Sequence, residues 1–231
     1  IIGDNVKIGS FNTISQFTEV GNDCHIINSS SIGAIPQDKK FGGEDTKLII
    51  GDRTIIREFV TLNRGTKATG ETRIGEDVLI MTGVHVAHDC IIGNNVILVN
   101  LVALGGHVEI DDWAILGGLS AVHQWSRVGC HSFIGGLSAV TRDLLPFGMA
   151  VGNRANLEGI NLIGMRRRNF PKSEIDEVKR AYSILFDENE IEFKSRIKKL
   201  NEEKFESSSV KIITSFVSVE TNRAYVSPSE V

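Results

Sequence analysis

Four of the six histidines, His85, His88, His107 and His123, fall within a span of forty residues. An imidazole titrates near neutral pH, so it can take a proton from a hydroxyl or offer a neutral nitrogen to a metal ion. Asp89 directly follows His88, and a carboxylate beside an imidazole can orient the ring and stabilise its protonated form. Several imidazoles converging on one point would suit a metal that activates water. One oriented imidazole would suit a general base. The residue types leave both chemistries open. Cys24, Cys90 and Cys130 match no CxxC spacing, and they read as small buried residues in a reducing compartment.

The elements that position the histidines follow from a six-residue clock. From Ile2 to Val140, 21 of the 24 positions in one phase are Ile, Leu or Val, the exceptions being Asp38, Glu44 and Ala68. A period of six fits neither a helix nor a simple strand alternation, but it does fit a short strand plus a corner. Three such units close one triangular coil. Residues three repeats apart then stack as parallel strands, and the fold class is an all-β left-handed parallel β-helix. Gly, Asn or Asp often follows the inward aliphatic residue, as in Val20-Gly21 and Ile74-Gly75, which we read as corners needing unusual backbone angles. On this spacing His88, His107 and His123 form a column along one edge, with His85 beside the lowest. Two segments, Pro36 to Lys47 and Arg64 to Arg73, interrupt the clock without losing its phase, so they are loops extruded from a continuous helix.

The clock stops at Pro146, dividing the chain into a β-helical domain (1–145) and a linker with a helical domain (146–231). Ser173 and Asp176 behind Pro171 form a capping-box pattern, and Ile175, Val178, Tyr182 and Leu185 share one helical face. A second amphipathic stretch carries Ile191, Ile197 and Leu200, and a third spans Val210 to Val219. A net charge of -4 and a pI near 5.9 supply no basic field for nucleic acid. No long apolar run suggests a transmembrane helix.

The segments His85-Val86-Ala87-His88-Asp89-Cys90, Gly105-Gly106-His107-Val108 and Ala121-Val122-His123-Gln124 closely resemble the UDP-N-acetylglucosamine acyltransferases of lipid A biosynthesis. The likeness takes in Ile35-Pro36-Gln37-Asp38-Lys39-Lys40, Arg64-Gly65-Thr66 and Gly164-Met165-Arg166-Arg167-Arg168, and covers about residues 1–190. It implies transfer of an (R)-3-hydroxyacyl group from acyl carrier protein to the 3-position of UDP-N-acetylglucosamine. His88 would be the base, Asp89 its partner, and the Gly106 N–H an oxyanion donor. His85, His107, His123 and Gln124 would contact nucleotide sugar or acyl chain, and Asp38 and Lys40 would line the cleft. Asn161, Arg167 and Arg168 would hold the nucleotide or its phosphates. Gly136 would limit acyl depth, leaving room for a long chain. The resemblance also implies a homotrimer with clefts shared between subunits, no metal, no bound organic cofactor and a cytoplasmic setting, with one or two further coils ahead of Ile1.

The chain departs from the family pattern at three places: Asn63 and Arg154 stand where histidines are expected, and Ile163 stands where an acidic residue is expected. Each lies on the sugar-nucleotide side, so a UDP-sugar with a 3-amino group is an alternative acceptor. Other rivals are the sister enzyme that N-acylates UDP-3-O-acylglucosamine, a trimeric zinc lyase of the carbonic anhydrase kind, and a non-catalytic β-helical scaffold.

Overall fold

A computed structural model of the chain describes residues 1–187, 192–219, 221 and 223–229. Short strands of the repeat region fall into three sheets, of nine, seven and six strands, which form the faces of a triangular left-handed β-helix. The clock positions point inward: Ile26, Ile56, Ile80, Leu98, Leu116 and Ile134 are fully buried on one face, stacked coil upon coil. Removing such side chains from water, at about 1.5–3 kcal/mol each, is the main force that holds the prism together. Most neighbours in a sheet are three repeats apart, as Leu79 with Ile97 and Ile115 with Phe133. Val20 instead pairs with Ile50, five repeats on, and Ile50 with Ile74, four repeats on. The first extruded loop therefore adds the length of two repeats and the second the length of one. Both additions are whole multiples of the repeat, and this is why the phase survives them.

The corners differ from expectation. Left-handed backbone angles belong mainly to residues with side chains, among them Asp77, Asn95, Trp113 and His131, whereas Gly21, Gly51, Gly75 and Gly93 are not among the positive-φ glycines. Those glycines are needed for closeness: a Cβ on Gly75 would lie 2.6 Å from the carbonyl oxygen of Gly93 on the next coil. Asn and Asp side chains accept from backbone N–H groups one coil away, as Asn94 Oδ1 from Glu76 N at 2.8 Å and Asp112 Oδ1 from Asn94 N at 2.6 Å.

Stacking continues beyond the expected boundary at 145. Gly148–Val151 pairs in parallel with Phe133–Ile134 and then turns back on Asn156–Ile160. Ala150 lies opposite Ile134, two positions sooner than a full coil would bring a partner there. The shortening ends the count but not the stacking. Among the described residues four helices follow: α1 (Leu162–Arg167), α2 (Lys172–Leu185), α3 (Phe193–Glu202) and α4 (Ser208–Ser218). α2 starts before Ser173, with Pro171 at its N-cap and no side-chain cap, so the capping-box expectation fails; Pro171 is already extended and admits the helix at the next residue. Ile175, Val178, Tyr182 and Leu185 are buried as expected, as is Leu200 of α3, while Ile191 lies outside the described residues. Tyr182 donates its hydroxyl hydrogen bond to Pro146 O at 2.7 Å, fixing α2 under the last coil.

Candidate active site

Asp89, His107 and Trp125 follow one another at intervals of three repeats, and all three adopt left-handed backbone angles, with φ of 60°, 60° and 68°. They form one corner column. The His107 and Trp125 rings stack in parallel with centroids 3.6 Å apart, and His88 meets His107 edge-on at 5.2 Å. Nδ1 of His88 lies 2.7 Å from Asp89 Oδ2, and Nε2 of His107 lies 3.5 Å from the same oxygen. With Nδ1–H donating to the carboxylate, Nε2 of His88 keeps its lone pair as the basic site.

The Asp89 side chain is completely buried. It accepts from the Thr66 N–H and the Thr66 hydroxyl, each at 2.8 Å, and from the Thr69 hydroxyl. Burial pushes its carboxyl upward, but the hydrogen bonds from Thr69, His88 and Thr66 outweigh that, and it is held below the ordinary carboxylate value. Burial lowers His107, although the charges of Asp89 and Asp38 oppose the shift. His85 is likewise lowered, by burial and then by His88, and its Nδ1 pairs with the Thr61 hydroxyl at 2.7 Å.

Gly106 lies one coil beyond His88. A Cβ there would come within 2.6 Å of Cε1 and 2.8 Å of Nε2 of the imidazole, so only glycine lets the ring lie where it does. Among the described residues the Gly106 N–H donates to no acceptor and is free to meet an oxygen. The two extruded loops stand beside this corner and are tied together. The guanidinium of Arg64, almost fully buried, lies over the rings of both Phe17 and Phe41, and the Thr46 hydroxyl donates to Gly65 O.

His85, His88, Asp89, Gly106 and His107 thus come together, and the charge of Asp38 reaches them from the first loop. Lys40 is solvent-exposed, its N–H capped by the Asp38 carboxylate at 3.0 Å. His123 departs from the expected column. It falls two positions short of the full-coil register with His107 and is exposed, with Nδ1 turned to its neighbour's carbonyl, Gln124 O. Trp125 holds the place assigned to it. A step of three full repeats from His107 was the signal that finds Trp125.

Asn161, Arg167 and Arg168 line a different feature, a cavity of about 770 Å³ that also includes Ile115, Phe133 and Met149. The Asn161 amide caps α1 by accepting from Gly164 N and donates to His131 O, both at 2.9 Å. Arg168 lies over Trp113, which heads an aromatic cluster with His131, Phe147 and Phe170. Asn63 is buried and donates to Ile35 O at 2.9 Å, holding the root of the first loop. Ile163 is exposed beside the cavity, Arg154 is exposed at a left-handed corner, and Gly136 is exposed with its neighbour Leu137.

His88, Asp89 and His107 present ligand atoms within 4.8 Å of one another, a spacing open to a metal. Four hydrogen bonds already fill the Asp89 oxygens, however, and a metal would have to displace them. The arrangement favours an oriented acid–base pair, and a β-helix bearing such a pair at its coil corners is the architecture of a hexapeptide-repeat acyltransferase. A bacterial transferase hexapeptide model matches residues 71–106, and a model described as UDP-N-acetylglucosamine O-acyltransferase, domain 2, matches residues 143–226. The acyl-[acyl-carrier-protein]–UDP-N-acetylglucosamine O-acyltransferase of Aliarcobacter butzleri is 46% identical over 206 residues, 81% of this chain and 79% of that protein. The corresponding enzyme of Nautilia profundicola is 45% identical over 73% of this chain and 65% of its own length. The solved UDP-N-acetylglucosamine acyltransferase of Campylobacter jejuni superposes with a TM-score of 0.84 at 36% identity, covering 100% of this chain and 95% of that one. The chain belongs to the UDP-N-acetylglucosamine O-acyltransferase family.

Proposed function

We propose that the protein transfers an (R)-3-hydroxyacyl group from acyl carrier protein to the 3-hydroxyl of UDP-N-acetylglucosamine, the opening step of lipid A synthesis. The observation that carries this is the His88–Asp89 pair with its free Nε2 edge against Gly106. His88 Nε2 takes the proton of the sugar hydroxyl as its oxygen attacks the thioester carbonyl. Asp89 holds the ring in that tautomer and balances the imidazolium charge. The Gly106 N–H stabilises the tetrahedral oxyanion, worth about 3–4 kcal/mol at such sites. Collapse breaks the C–S bond, and the departing thiolate takes the proton back from His88. No metal or bound organic cofactor enters these steps, and the substrates suit a cytoplasmic reaction.

Support for a trimer comes from Phe59, Leu101, Leu119 and Leu137. They follow one corner, all with left-handed φ, and are 63%, 54%, 55% and 71% exposed. Large apolar residues held outward in a disfavoured backbone conformation call for a covering surface, and a second copy of the chain supplies one. Gly118 and Gly136, one coil apart beside Leu119 and Leu137, leave a smooth strip for an acyl chain. The cavity with Asn161, Arg167 and Arg168 would complete a neighbouring subunit's cleft. Assay of (R)-3-hydroxymyristoyl carrier protein against UDP-N-acetylglucosamine, its 3-amino analogue and UDP-3-O-acylglucosamine tests the acceptor. Transfer to the first alone is expected, transfer to the last alone overturns the reading, and activity lost on chelation and restored by zinc reinstates the metal.

A further inference from the structure

We propose that Thr66 and Thr69, on the second extruded loop, are positioning residues for His88 that act through the Asp89 carboxylate. The loop joins the strand Thr61–Asn63 to the strand Glu71–Ile74 and carries the one extra repeat's length of that coil. Its hydroxyls converge on one buried carboxylate. Thr66 donates N–H and hydroxyl to opposite oxygens of Asp89, and the Thr69 hydroxyl, which also lies 2.9 Å from Glu71 O, gives its one proton to the stronger acceptor, Asp89 Oδ1. The Thr66 hydroxyl is itself polarised by accepting from Ala68 N at 3.2 Å, and Gly70 N donates to Thr66 O at 2.8 Å, closing the loop on itself. At its base, Gly65 N donates to Lys47 O at 3.0 Å and the Arg64 guanidinium lies over the Phe17 and Phe41 rings, contacts that anchor the loop. Beneath the carboxylate, the Asp89 N–H donates to the Thr72 hydroxyl at 2.8 Å.

A carboxylate with no solvent contact stays ionised only if donors replace the lost water. Thr66 and Thr69 supply three of them, and His88 supplies the fourth. Without the loop, Asp89 takes up a proton more readily, and His88 loses the acceptor that fixes its tautomer. Removing these donors raises the proton affinity of Asp89, so the carboxylate is lost as a partner at higher pH and the acid limb of activity moves up with it. The other titratable groups facing the pair are His107, His85 and Asp38, and all three remain in the threonine variants.

The role rests on His88 acting as base, and the experiment separates the two ideas. Rates across pH are measured for the parent and for Thr66→Val, Thr69→Val and Thr69→Ser, with an NMR titration of the His88 ring in each. Thr69→Val is expected to lower kcat about 10–100-fold, to leave KM within about twofold, and to move the acid limb upward by about half a pH unit or more. The His88 resonances should move with it, and Thr69→Ser should restore both. Should Thr69→Val melt far below the parent, Thr69→Ala, which removes the hydroxyl without adding a branch, is judged by the same criteria. Coinciding rate profiles and ring titrations in the valine variants and the parent would overturn the proposal. A parent that fails to acylate UDP-N-acetylglucosamine while its ring titration still responds to Thr69 would sink the reaction assignment and leave the positioning role standing.

Discussion

Replacing Gly106 with alanine probes the site without removing any of its chemistry. The new Cβ would lie 2.6 Å from Cε1 of His88, where ordinary contact begins at 3.4 Å, so the ring must retreat by about 0.8 Å. His88 is partly exposed and can yield by rotating outward, whereas the backbone at Gly106 need not move. Displacement on the order of 1 Å at a reacting group costs about 100-fold in rate. The expected result is a kcat fall of that size, with a melting temperature within about 4 °C of the parent, because Gly→Ala also trims the freedom of the unfolded chain. Gly105→Ala is the contrast: its Cβ would meet the backbone nitrogen of Gln124 at 2.7 Å, a rigid neighbour on the next coil, and should lower the melting temperature together with activity. Steady-state acyl transfer and thermal melts of both variants read the difference. A Gly106→Ala enzyme within about threefold of the parent kcat would refute the placement of His88 against Gly106.

Acid stability should depend on His131, which burial and then the nearby Arg168 push down to about 4 from an ordinary 6.5. The unfolded chain therefore binds the extra proton first, and stability is lost as pH falls from about 6.5 toward about 4. His131→Phe, which keeps the stack with Trp113 and Phe147, should melt less differently at pH 7 and pH 5 than the parent does; equal losses in the two proteins would contradict the assignment. Leu119→Asp places a charge on the exposed apolar corner and is expected to convert the proposed trimer to monomers in sedimentation without unfolding the coils; assembly equal to the parent's would remove that corner from the interface.

Much of the fold was legible because one period runs through it. The inward aliphatics from Ile26 to Val140 are read directly from the chain, and the loops kept the phase because they add whole repeats. His88 and Asp89 were legible as a pair because they are adjacent. Misplacing His123 came from treating a step two positions short of a coil as a full one: on a triangular coil that slip carries a side chain around the corner. Thr66 and Thr69 were not legible, since a loop outside the repeat carries no register from which to derive a contact with Asp89. The corner glycines were found for the wrong reason, because the need there is space against the next coil, which a single repeat does not reveal. Asn161 matched the family as a ligand contact, and its amide also caps α1 and bonds His131 O, a use visible only once the last coil and α1 are in place.

The most direct test of the central claim compares acyl transfer from (R)-3-hydroxymyristoyl carrier protein to UDP-N-acetylglucosamine by the parent and by His88→Ala, with oligomeric state followed in parallel. Turnover by the parent and a loss of about 10²–10⁴-fold in kcat in the variant are expected, with assembly unchanged. Comparable turnover by the two proteins would contradict that claim.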